Sequence, residues 1–223
     1  MSERQVTAAM VEDMAGRIGN LLVPGPQFDH TNDLVARYFG EREGDDFAGV
    51  TFNTVGVNDP YSIGADDLLA VHMLGVPVTR AMLRDILENV STRQQIAVLL
   101  HDIDDSIQLW EDDAETALAK ADELWSLLDD ASDVGWVVAG KLLARKRPHL
   151  IPIADDLVWE YLQPTKGRFW RTLSGVLQDA ELRGQIETLR PESLQSAEMR
   201  DKISTLRLLD VAIWMNVKYP SGS

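Results

Sequence analysis

Apolar residues recur every three to four positions along most of this chain, and that spacing predicts helices. Val6, Met10, Met14, Ile18 and Leu21 or Leu22 mark a first helix over 3–22, stopped by Pro24-Gly25-Pro26. A second, short helix is expected over 31–39, ending at Gly40. The stretch Gly40–Gly64 is turn-rich, with Phe47, Val50, Phe52 and Val55 among Gly, Asn and Asp, and a short β-hairpin can form there. From Ala65 onward the helical period returns. Leu68, Leu69, His72 and Met73 form one stripe ending near Gly75. Thr79 then caps a helix carrying Met82, Leu83, Ile86, Leu87 and Val90. Ile96 to Leu100 mark a short helix, and 102–113 reads as a loop.

The clearest stripe follows: Ala114, Ala117, Leu118, Ala121, Leu124, Trp125 and Leu128. A tight connection at 129–135 leads into a helix over about 136–146, and Pro148 and Pro152 bracket an extended piece at 149–151. Further helices are expected from Leu157 to Leu162 and from Phe169 to Ala180. The last long one runs from Met199 to Val217. The fold class is therefore all-α or nearly so: about ten short helices, read as an N-terminal helix and irregular lobe over 1–64, packed on a helical domain over 65–220.

Composition narrows the function classes. The chain has 223 residues, a net charge of −15, no cysteine and 45% hydrophobic residues. Such an apolar fraction excludes wholesale disorder. The missing cysteine excludes disulfides, thiolate metal sites and cysteine nucleophiles. Without a long apolar run or a secretory leader, a soluble cytoplasmic protein with no membrane contact is expected. No cofactor or metal site is expected either. Gly135 to Lys141 lacks the Ser/Thr of a P-loop at Leu142. The Asp102 loop has Ile107 where a calcium loop needs glycine. Four scattered histidines make a metal phosphohydrolase pattern through His72, His101, Asp102 and Asp155 easy to meet by chance.

Charge is unevenly placed. Residues 102–133 hold twelve acids against one base, Lys120, whereas 134–153 hold Lys141, Arg145, Lys146 and Arg147 and no acid. The basic run can contact phosphate, or it can neutralise the acidic run before it.

The segment Asp133-Val-Gly135-Trp-Val-Val-Ala139, followed by the basic cluster and Ile153-Ala-Asp155-Asp156-Leu157-Val158, resembles the helix-hairpin-helix and aspartate of the base-excision DNA glycosylases. By position, Gly135 and Ala139 match the second hairpin glycine and the alanine of that family. The resemblance implies main-chain amides near Gly135 facing a phosphate, with Lys141, Arg145, Lys146 and Arg147 beside it and Asp155 as the catalytic carboxylate. Asp133 stands where the family has its first glycine; Val137 stands where its lyases carry lysine, so lyase chemistry is not implied, and without cysteine neither is an iron–sulfur loop. At whole-chain level the phrases DDLLAV, GKLLARKRP, LIPIADD and LRLLDVAIWM resemble an actinobacterial family of unknown function, which implies the helical fold and no reaction.

Three functions follow. The first is a non-catalytic protein contacting a phosphate backbone or an acidic partner through 134–149. The second is a monofunctional glycosylase or nucleotide-processing enzyme using Asp155, although Asp155 can equally be a helix cap. The third is an acidic interaction or nucleic-acid-mimic protein presenting 102–133 to a basic partner. Sequence alone leaves open whether the protein is an enzyme, and its oligomeric state.

Overall fold

The computed structural model describes residues 5–41 and 47–221. Among them are twelve α-helices and no strand. In chain order these are α1 (Ala8–Leu21), α2 (Pro26–Tyr38), α3 (Ala65–Met73), α4 (Arg80–Leu83), α5 (Val90–His101) and α6 (Ala114–Asp129). They continue with α7 (Gly135–Lys146), α8 (Asp156–Leu162), α9 (Phe169–Val176), α10 (Ala180–Glu187), α11 (Ala197–Lys202) and α12 (Thr205–Lys218). The all-helical expectation holds. The stretch expected to allow a hairpin forms a 3₁₀ turn at Ala48–Thr51 and irregular chain to Gly64, with residues 42–46 outside the described set.

Contacts divide the chain into two compact units, Met1–Phe47 with Ile153–Ser223, and Ala48–Pro152. The boundary expected at residue 64 falls inside the second of them. In the first unit α12 is the central element, with α1, α2, α8 and α10 packed against it and α9 against α1. Met14, Ile18, Leu34, Val35, Leu173, Leu209 and Ile213 are buried there. The helix expected over 199–217 is two helices. Ile203 and Ser204, both extended, break the run, and Ser204 caps α12 by accepting the Arg207 N–H at 3.2 Å. The second helix starts earlier than the apolar spacing predicts, because Pro26 supplies a ready helical φ at its first position.

In the second unit α7 lies between α6 and α3, and α5 packs on α6. The stripe of α6 is buried as predicted: Ala117, Leu118, Ala121, Leu124 and Leu128 are all interior. After α4 the chain runs through a π-helical turn, Arg84–Glu88, closed by the Asn89 N–H on the Arg84 carbonyl at 3.0 Å. The expected single helix over 80–90 is thus widened midway. Among the described residues no helix is long and apolar enough to cross a membrane.

Candidate functional site

The basic cluster at the end of α7 is internal. Lys141, Arg145, Lys146 and Arg147 are between 1% and 4% exposed. Arg145 donates from Nε to Asp67 Oδ1 at 2.8 Å, from Nη2 to the Val55 carbonyl at 2.6 Å, and from Nη1 to the Phe52 carbonyl. Lys146 Nζ reaches Asp67 Oδ1 at 2.6 Å, Asn58 Oδ1 at 2.8 Å and the Asp59 carbonyl at 2.9 Å. Arg147 holds the carbonyls of Ile103 and Pro60, each at 2.9 Å, and that of Leu100. Lys141 Nζ donates to the Leu74 carbonyl at 3.2 Å.

The arrangement has a simple cause. The chain from 52 to 60 has almost no regular structure, so its buried carbonyls need donors from elsewhere. A guanidinium offers five of them in a fixed fork. Burial pushes the Lys146 ammonium below its ordinary value, and the Asp67 charge opposes that push. The outward cationic patch expected at 141–147 is therefore corrected to an interior one. Asp67, which sequence reasoning did not single out, is its acidic partner, and Asp67 Oδ2 also accepts the Gly64 N–H at 2.7 Å. Asp67 lies 78 residues from Arg145 in the chain, which is why the pairing was not legible.

A glycine bend precedes α7. Asp133 and Gly135 have φ of 60° and 65°, so both hairpin positions where the glycosylases carry glycine are left-handed here. Val134 between them is buried. The bend's own donors are largely engaged: Ser132 N–H bonds Asp85 Oδ2 at 3.0 Å and Val134 N–H bonds the Ala131 carbonyl at 3.2 Å. Asp133 Oδ2 accepts the Thr79 hydroxyl at 2.9 Å. The Ser132 amide, then the Asn89 side chain, holds the Asp85 carboxyl below the usual carboxylate range. Gly135 is exposed and Trp136 is 43% exposed, at a helix start with no side-chain cap. The helix start is exposed, while the four cations expected beside it are buried.

Asp155 caps α8. Its Oδ1 accepts the N–H groups of Leu157 at 3.1 Å and Val158 at 3.0 Å. It belongs to the first unit, whereas the bend belongs to the second. In the first unit burial pushes the Tyr38 phenol up, and the charges of Asp210 and Asp155 add to that while Arg207 opposes it.

The acids of 102–133 are mostly outward. Asp102, Asp104, Asp105, Glu111, Asp112 and Asp113 are exposed, and so are Glu115, Glu123, Asp130 and Asp133. Two of them organise the loop: Asp104 Oδ1 takes the Ser106 N–H at 2.9 Å, and Glu111 Oε2 takes the Gln108 N–H at 2.9 Å. Lys120, the single base of the window, pairs with Glu123 at 3.2 Å. Among the described residues no three acids or histidines are grouped to hold a metal ion.

A family model matches residues 31–217. The chain belongs to DUF6308, a family of unknown function. No curated protein and no solved structure matches it. The matched DUF6308 span contains Asp67, the α7 cations, the acidic window and Asp155, so these features lie in the family's own region of the chain.

Proposed function

We propose that this DUF6308 protein is a non-catalytic interaction protein that presents the acidic face of 102–133 to a basic protein partner. The burial of Lys141, Arg145, Lys146 and Arg147 supports this reading most directly. With those charges turned onto Asp67 and onto carbonyls, the basic run does not neutralise the acidic one at the surface. An exposed field of one sign attracts an opposite partner across about 8 Å of physiological salt and raises its association rate.

The test separates this face from overall charge. One variant changes Asp104, Asp105, Asp112 and Asp113 to Asn. A control changes Glu12, Glu160, Glu181 and Glu192 to Gln, with the same loss of charge. Affinity for a lysine-rich model peptide is measured by titration calorimetry. A larger loss in the first variant supports the face, and equal losses overturn it.

The positive φ at both 133 and 135 favours a second reading, in which α6, the bend and α7 form a glycosylase-type helix-hairpin-helix. On it the amides from Gly135 contact a phosphate, and Asp155 keeps the carboxylate role that the resemblance implies. Base release from a lesion-containing duplex, abolished in Asp155→Asn, is its test. No base release by the unaltered chain removes it.

A further inference from the structure

Within Ala48–Pro152, a cleft of about 320 Å³ opens beside α5. Ile63, Ile86 and Ile96 line it and are buried, while Arg93 and Gln94 line it and are exposed. None of its lining residues is acidic, in a chain of net charge −15. Arg93 is its one charged group.

The polar heads at this cleft differ from their neighbours. On the same helix Gln95 Nε2 donates to Ser91 Oγ at 3.1 Å, and Thr92 Oγ1 donates to Asp85 Oδ1 at 3.2 Å. Among the described residues Arg93 and Gln94 have no such side-chain partner. An apolar floor lined also by an unpartnered arginine and glutamine is the composition that orients a small amphipathic ligand. The π-turn Arg84–Glu88 places Ile86 in that floor, and such turns concentrate at functional sites.

We propose that this cleft binds a small amphipathic carboxylate. The apolar body lies on the three isoleucines, the carboxylate takes a charge-assisted fork from Arg93, and Gln94 donates a further hydrogen bond. The volume holds at least about ten water-sized groups at ~30 Å³ each, which matches an eight-carbon acid. A cationic ligand of equal length meets the guanidinium as a like charge. The inference is independent of the acidic face.

Octanoate is the probe, followed by amide shifts in the nuclear magnetic resonance spectrum of the full chain. Saturable shifts are expected at Ser62, Val90, Gln94 and Ala97. Arg93→Gln should weaken binding roughly tenfold or more, the loss of one charged hydrogen-bonding pair. Arg93→Glu should reverse the preference, so that octylamine binds and octanoate does not. Ala97→Trp, a substitution at a half-buried position lining the cleft, should block both. Absence of saturable shifts, equal binding of octylamine by the unaltered chain, or unchanged octanoate affinity in Arg93→Gln each overturns the proposal.

Discussion

Asp67 Oδ1 lies 2.8 Å from Arg145 Nε, with both side chains almost wholly buried. Lys146 shares the same oxygen. One carboxylate thus pairs with two interior cations that in turn hold the carbonyls of residues 52, 55 and 59.

Removing that carboxylate strands both cations. Asp67→Ala is expected to lower stability by about 3–5 kcal/mol, as for one partner taken from a buried ion pair. Urea unfolding of the full chain measures it. A loss below about 1 kcal/mol would show that water or another acid replaces Asp67.

Asp85 makes stability depend on acid. Its folded carboxyl sits below the ordinary range because the Ser132 amide and the Asn89 side chain bond the charged form. The unfolded state therefore binds the proton more readily. The contribution is complete above the unfolded value of about 3.9 and disappears as pH falls through the folded one. Asp85→Asn should be less stable than the unaltered chain at pH 6, with the gap closing below about pH 4. A gap that stays constant from pH 6 to pH 2 would contradict it.

The bend before α7 is read by two alanine substitutions. Gly135 has φ of 65° with open space around it, so Gly135→Ala meets backbone strain rather than a clash. A loss of about 1–2 kcal/mol is expected. Gly140 lies inside α7, also with nothing near its missing Cβ, and Gly140→Ala should gain about 0.5–1 kcal/mol. Thermal unfolding compares the two, and shifts of the same sign would exclude the left-handed bend.

Asp155 separates capping from catalysis. Asn accepts the same two amide bonds, so Asp155→Asn should be near neutral for stability, whereas Asp155→Ala should cost about 1 kcal/mol. Equal destabilisation by both would mean that the charge, rather than the Oδ1 bonds, supports α8. Calorimetric melting decides this.

The parts that proved legible are local. The stripe of α6 reports its buried face, because i, i+3 and i+4 positions share one side of a helix. Thr79 and Asp155 report helix starts, because a cap needs only the next three residues. Pro24-Gly25-Pro26 reports a stop for a similar reason, and α1 ends at Leu21. The break at Ile203-Ser204 was hidden, since the apolar spacing on either side is continuous while the backbone of these two residues is extended.

The direction of the α7 cations is the opposite case. From sequence they form a basic run of ordinary surface type. Arg147 finds a carbonyl 44 residues away at Ile103, and Arg145 finds one 93 residues away at Phe52. Whether a cation faces water or the interior depends on unpaired carbonyls brought to it from distant chain, and no local period encodes those. Likewise Arg93 and Gln94 read as surface helix residues until Ile63 and Ile86 are placed beside them. The sequence by itself determined that the chain is helical, where several helices such as α6, α7 and α8 lie, and that its acids are concentrated at 102–133, because helix periodicity and capping act within a few residues. Only the tertiary structure decided which charges remain at the surface and which polar groups border a cleft, because burial is a property of neighbours that the chain brings together from far apart.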